Sequence, residues 1–300
     1  MKHILFTKEL LLSAVALFAI IATSCIREDL DQCYTLKLKV ENIKGDDITE
    51  YGWMESTDLY IFDENLNYLE KRSLDKNFIR SRNEIVLDGY TADRSLRIVA
   101  WGNVNALGEK QSVSEAQTIE DLKVMLKSQD GLAVTPDSLY YGSEQVFTKA
   151  GGVAKETEIV IRPKVGTVTI ETRGLQEQLG LRSSVDCDFY LNNTLSGFDY
   201  RGTQIGDSVY YNPEGAWNES GVEWITPTMQ TACPGQDMAV SISANGVSLG
   251  SAKVDENGDP IYTSAGENTH LILEWGEGGT LSVRATVRPW GVVEEDIPMH

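Results

Sequence analysis

Histidine is scarce: three stand in a chain of 300 residues, which leaves little material for acid–base catalysis or metal ligation. Cysteine is scarce too. The four lie at 25, 33, 187 and 233 with no CxxC pair, which excludes zinc ribbons and thioredoxin-like redox motifs. Basic residues are outnumbered, 26 Lys+Arg against 45 Asp+Glu for a net charge of −19, so the chain repels phosphate backbones and nucleic acid is excluded as a partner. No glycine-rich phosphate loop occurs, because Gly276-Glu277-Gly278-Gly279 sits between two expected strands instead of before a helix. No serine or cysteine stands in a nucleophile motif beside His270, which reads as a structural histidine within a strand. These absences point away from an enzyme, and no cofactor or metal is expected. What is present is a globular composition, 41% hydrophobic and 24% charged, on a length suited to two domains.

The first residues carry a processing signal instead of fold. Lys2 and Lys8 make a basic start, and Leu10–Ala22 is an apolar run of thirteen with one serine in it. That run is too short to span a bilayer and suits a secretion signal. Thr23 and Ser24 put small side chains directly before Cys25, as a lipoprotein signal peptidase requires. Cys25 is the expected lipidation site, with 1–24 as signal peptide and 25–33 as an acidic tether. Ala22 stands where Leu or Val is more usual, and an ordinary signal peptide cut near Ala22 is the alternative. One acyl chain holds only marginally, at about 0.8 kcal/mol per buried methylene, whereas two or more make a stable anchor. Arg27, Glu28, Asp29 and Asp31 read either as an export signal for surface-exposed lipoproteins or as a solvated tether. Both readings place the chain outside the inner membrane. With Cys25 modified, Cys33, Cys187 and Cys233 are an odd number, so at least one thiol has no partner within the chain. Cys187, in phase with Val185, Phe189 and Leu191, reads as core.

Beyond the tether the dominant period is two. In 34–42, Leu36, Leu38 and Val40 face one way and Lys37 and Lys39 the other, a half-buried strand. Further strands are expected at 57–63, 66–72, 84–88, 95–101, 157–162, 165–172, 185–192, 222–226, 237–243, 247–254, 269–275 and 280–287. The last sets Leu281, Val283, Ala285 and Val287 on one face against Ser282, Arg284 and Thr286. Turn residues such as Asp88-Gly89 and Asn257-Gly258 separate them. One segment differs: Ile119, Leu122 and Leu126 recur at helical spacing behind a Thr118/Asp121 capping box, which predicts a short helix from Thr118 to Lys127. Short, turn-bounded strands on each side of Arg162-Pro163-Lys164 predict two antiparallel β-sandwiches, 34–162 and 163–300.

Two segments approach calcium-loop spacing, Asp63/Asn65/Asn67 and Asp255/Asn257/Asp259. Both lack the glycine at position six and the closing glutamate, so they read as Asx-rich hairpin turns. Glu294, Glu295 and Asp296 read as a solvated acidic face. Of the six tryptophans, Trp101 and Trp275 end apolar strands and read as core, while Trp53, Trp217 and Trp224 lie in polar contexts open to sugar stacking.

Several motifs carry a resemblance. SCIREDLDQC (24–33), DLYIFDENLNYLE (58–70), RIVAWGN (97–103), SLYYG (138–142) and VTIETRGL (168–175), in that order and spacing, resemble the FimB-like fimbrial anchor lipoproteins of type V pili. The likeness covers most of the chain, and after about residue 200 it rests on strand pattern and the closing RPWG. It implies a non-enzymatic protein of two transthyretin-like sandwiches. Such anchors hold the pilus base in the outer membrane through their lipid, and end fibre growth by docking the last structural subunit. Polymer subunits of such pili lose an N-terminal strand to an arginine-specific protease, which opens a groove for a neighbour's strand. An anchor keeps that strand, here 34–42 with Leu36, Leu38 and Val40. The segment 280–297, with Leu281, Val283, Val287 and Trp290, is then the candidate subunit contact. Two alternatives stand beside the anchor. One is a cleavable stalk or tip subunit of the same fold, with Arg27, Arg72, Arg80 or Arg82 as cleavage sites; the other is a glycan-binding surface lipoprotein.

Overall fold

The computed structural model describes residues 34–87, 90, 95–105, 109–147, 157–180, 185, 187–232, 238–276 and 278–290. Cys25, Cys33, Cys233, the stretch with Arg27, Glu28, Asp29 and Asp31, and the acidic cluster Glu294-Glu295-Asp296 lie outside the described residues. The strands in chain order are β1 (Tyr34–Val40), β2 (Ser56–Phe62), β3 (Tyr68–Asp75), β4 (Ile85–Leu87), β5 (Ser95–Gly102), β6 (Gln111–Val113) and β7 (Val124–Leu126). Then come β8 (Ser128–Gln129), β9 (Leu132–Ala133), β10 (Tyr140–Phe147), β11 (Thr157–Pro163), β12 (Val165–Arg173), β13 (Cys187–Phe198) and β14 (Gln204–Tyr211). The chain continues through β15 (Ala216–Trp217), β16 (Trp224–Ile225), β17 (Met229–Ala232), β18 (Ala239–Ala244), β19 (Val247–Ala252), β20 (Glu267–Trp275) and β21 (Leu281–Pro289). The fold is all-β, as the period-two pattern predicts.

The first sheet runs in the order β3-β2-β5-β10-β11-β1-β4. Its β10–β11 ladder is short, Tyr140 opposite Pro163 and Tyr141 opposite Arg162, and there the sheet turns over into two layers. Leu36, Leu38, Val40, Ile159 and Ile161 from one layer pack on Leu59, Ile61, Ile98 and Val146 from the other. Each such side chain, taken out of water, contributes about 1.5–3 kcal/mol. Gly142 lets the layers meet, since a Cβ on it would run into the Val160 carbonyl oxygen.

Strand β2 is buried on both faces beyond Ser56, which explains why it reads as a nearly continuous apolar run. Leu59 and Ile61 enter the first core, while Tyr60 and Phe62 turn the other way with Val99 and Trp101 of β5. That outer face shares a single core with Ile119, Leu122, Val124 and Phe198. Trp101 lies 5.7 Å from Phe198 and 5.0 Å from Tyr141, ring centroid to centroid.

The later strands form two sheets, β15-β16-β12-β20-β21 with β17 also on β12, and β19-β18-β13-β14-β9-β8 with β7 on β13 and β6 on β7. Val168, Ile170, Leu271, Leu273 and Val283 of the first pack against Phe189, Leu191, Val240 and Ile242 of the second. Strands β6–β9 precede residue 163 in sequence, yet they complete a sheet made of strands that follow it.

Two features depart from expectation. Pairing is not uniformly antiparallel: β1 runs parallel to β11, β12 to β20 and, over one residue pair, β14 to β9. Each parallel pair joins strands far apart in sequence, as parallel pairing requires. The helix expected from Thr118 to Lys127 is a single 3-10 turn, Ile119–Asp121, after which the chain extends into β7. The capping box forms, with Asp121 accepting from the Thr118 N–H at 2.8 Å, but Leu122, Val124 and Leu126 alternate into the core as a strand. The short helices lie elsewhere. One is α1 (Lys76–Arg80), capped by Asp75, whose side chain accepts from the Phe78 N–H at 2.9 Å, and the other is α2 (Leu175–Gln178).

Candidate anchoring and docking surfaces

Strand β1 occupies a slot with hydrogen-bonded neighbours on both sides. Residues 36–40 register with 157–161 of β11, and 34–36 with 85–87 of β4. Leu36, Leu38 and Val40 are 0%, 4% and 2% exposed, so the alternate pockets of the slot are filled by the chain's own residues. The far end of β1 is clamped. The Val40 N–H donates to Thr49 Oγ1 at 2.9 Å, and the Glu41 N–H to the Ile161 carbonyl at 2.9 Å. The Glu41 carboxylate accepts from Lys39, 2.9 Å away, and from Arg162 of β11. The Lys39 hydrogen bond, aided by Arg162, holds the Glu41 carboxyl below its ordinary value. The same contact raises the Lys39 ammonium. Sequence reading missed this clamp: its only signal is an acid directly after an apolar alternation that otherwise ends at Val40.

Strand β21 is the counter-case. Among the described residues it ladders with β20 alone, from Leu281 opposite Trp275 to Pro289 opposite Glu267. On its outer edge the Glu256 N–H donates to the Val283 carbonyl at 2.7 Å. Val283 is 1% exposed and Val287 37%, so of the expected four-residue apolar face only Val283 is fully core. Leu281 is half-buried. Trp290, just beyond, is also half-buried. Its N–H donates to the Gly266 carbonyl at 2.7 Å and its indole Nε1 to Thr167 Oγ1 at 3.1 Å. Leu281, Val283, Val287 and Trp290 therefore share one edge without forming one exposed patch.

This architecture matches known proteins. The family model for fimbrillin-A associated anchor proteins Mfa1 and Mfa2 covers residues 30–296. The chain belongs to this fimbrial anchor family. It is 26% identical over 284 residues to the major fimbrium anchoring subunit FimB of Porphyromonas gingivalis, covering 90% of this chain and 91% of the relative. Among solved structures, the fimbrial anchor protein Mfa2 from Porphyromonas gingivalis superposes with a TM-score of 0.62 at 15% identity, over 86% of this chain and 98% of the other. A putative adhesin from Bacteroides ovatus gives a TM-score of 0.68 at 16% identity, over 89% and 97%. A putative polysaccharide binding protein from Bacteroides thetaiotaomicron gives 0.65 at 15%, over 88% and 99%. These likenesses establish the shared fold.

Other sequence candidates take structural duties in this fimbrial anchor homologue. Asp63 Oδ1 accepts from the N–H groups of Asn65 and Asn67, each at 2.8 Å, and Asp255 Oδ1 does the same for Asn257 and Asp259 at 2.8 and 3.0 Å. Those carboxylates build Asx turns. Among the described residues no group of three or more His, Cys, Asp or Glu is placed to hold a metal. His270 Nε2 lies 3.1 Å from Glu171 Oε2 on the adjacent strand. Cys187 is buried. Of the tryptophans read as open to sugars, Trp224 is core, stacked on Phe189 and edge-on to Trp217 at 5.5 Å. Trp53 is 40% exposed beside Tyr51, with 5.7 Å between centroids.

Proposed function

We propose that this chain is an outer-membrane lipoprotein, held by acyl groups on Cys25 and exposed at the surface, that anchors a pilus by receiving its last structural subunit and ending growth. One observation carries the choice of anchor over polymerising subunit. β1 ends at Val40 and β2 begins at Ser56, and the connection 41–55 contains no arginine. An arginine-specific protease then has no bond at which it could free β1 alone. A cut after Arg27 would remove the lipid and leave β1 in place. Cuts after Arg72, Arg80 or Arg82 would detach β2 along with β1, and β2 supplies both cores. The slot in the N-terminal sandwich stays self-filled, and the incoming subunit docks elsewhere, with the β21 edge and Trp290 as its seat. The acidic stretch Arg27–Asp31 directs surface export in this reading.

The test is mass spectrometry of the native protein extracted from its own cells. The expected N-terminus is an acylated Cys25 continuous with residues 26–42. A new N-terminus after an arginine, with the lipid lost, would overturn the anchor reading.

A further inference from the structure

A cleft of about 410 Å³ opens where the two halves meet. Its floor is the face of β5 and β10, carrying Arg97, Tyr141 and Ser143. Its walls are Leu66 from the β2–β3 turn, Ile119 from the 3-10 turn, and Tyr200 and Arg201 from the β13–β14 turn. Arg97 stands on the same face of β5 as Val99 and Trp101, an arginine in an apolar row, because here the core gives way to the cleft. Among the described residues Arg97 has no ion pair or hydrogen bond; its field reaches the Tyr141 hydroxyl. Arg201 Nε donates to Tyr200 Oη at 2.9 Å, and its guanidinium lies 4.9 Å from that ring's centroid, which leaves its outer N–H groups unused. Tyr141 Oη donates to the Tyr200 carbonyl at 2.9 Å, so the floor is fixed to one wall. Lys164 lies over the Tyr141 ring on its other side at 5.2 Å. Two carboxylates lie by Arg201: Asp199 accepts from the N–H groups of Arg201 and Thr203, and Glu120 lies near Arg201.

Arg97 and Arg201 both line the cleft; Asp199 and Glu120 offset the charge of Arg201, and an anion seated between the two guanidiniums would gain from both. Leu66 supplies an apolar wall: it is exposed, at φ +66°, where its N–H closes the Asp63 turn on the Asp63 carbonyl at 3.0 Å. The Ile119 N–H donates to the Leu66 carbonyl at 2.9 Å and fixes it there. β5 is laddered on both sides, whereas β10 is laddered with β5 along its length and with β11 only at Tyr140 and Tyr141. The volume, the apolar shelf of Leu66 and the hydroxyl-bearing floor suit a small polar ring carrying a carboxylate.

We propose that this cleft is a binding site for acidic saccharides, with the sugar carboxylate bridging Arg97 and Arg201 and the ring lying on Leu66. Planar guanidiniums bind carboxylates bidentately and with direction. The site is independent of the anchor reading and stands whichever N-terminus the mature chain has.

The test is calorimetric titration of the full chain in detergent with digalacturonic acid, with neutral α-1,4-linked digalactose, and with a hexaglutamate peptide. Saturable binding of the digalacturonate alone is expected, weakened about tenfold or more by Arg97→Met and by Arg201→Met. Arg201 sits on a surface turn, so Arg201→Met decides the matter if Arg97→Met lowers the melting temperature. No binding of digalacturonate, equal binding of both disaccharides, tighter binding of hexaglutamate, or affinity unchanged in Arg201→Met would each overturn the proposal.

Discussion

Strands β1 and β21 read alike in sequence, both alternating apolar with polar residues, and the structure uses them in opposite ways. β1 is laddered on both edges and its apolar side chains are wholly buried; among the described residues β21 is laddered on one edge, with one further hydrogen bond from the Glu256 N–H on the other, and its apolar row climbs into solvent. Alternation therefore specifies a strand and its inner face, while the number of neighbours decides whether that strand is structural filling or an open margin. In an anchor the first property suits a strand that must stay, and the second a strand that can receive.

Truncating the filled strand has the largest expected effect. Leu36→Ala removes a fully buried side chain from the β1 slot and is expected to cost about 2–5 kcal/mol, read as a fall in the denaturant midpoint. A cost below about 1 kcal/mol would mean that β1 does not fill its slot in solution. A middle effect is expected at the clamp. Glu41 has its carboxyl pKa lowered in the folded chain, so the ionised form stabilises the fold above the ordinary value of 4.5 and that stabilisation is lost as pH falls through the folded pKa. Glu41→Gln should then be less stable than the parent at pH 7, with the gap closing below about pH 4.5. Thermal melts across that range check it, and a pH-independent gap would rule out the ionic clamp. The smallest stability effect belongs to the open margin. Val287→Thr should change stability by no more than about 0.5 kcal/mol. Where β21 seats the pilus subunit, the same substitution should still reduce subunit pull-down. Unchanged capture would move the seat away from this edge.

Much of the fold is legible in the residues. The apolar alternation at Leu36, Leu38 and Val40, the strand expected at 57–63 and the turn chemistry at Asp63 and Asp255 each lead to the element observed. The segment at 118–127 misleads for a definite reason. Ile119, Leu122 and Leu126 fit a helix, yet Leu122, Val124 and Leu126 also fit a strand, and the free edges at Gly197 and Phe198 of β13 decide for the strand. α1 is hidden because its run Lys76–Arg80 is mostly polar and only the Asp75 cap announces it. The parallel registers of β1 with β11 and β12 with β20 join residues more than a hundred positions apart, beyond any local pattern. The candidate anchoring strand was readable for the same reason as the core. The clamp at Glu41 and the cleft at Arg97 and Arg201 were not: Lys39 is a local partner of Glu41, but Arg162 joins it, and Arg97 meets Arg201, only across the fold.

The parallel pairing of β1 with β11 has a mechanical consequence. A chain tethered at its N-terminus and pulled through its distal half is loaded at the start of β1 and at the end of β11, which lie at opposite ends of that ladder. Tension then slides the two strands along each other, so the rungs from Leu36 to Val40 bear the load together instead of parting one by one. If the tether is the proposed lipid on Cys25, a fibre dragged by flow would load β1 in shear.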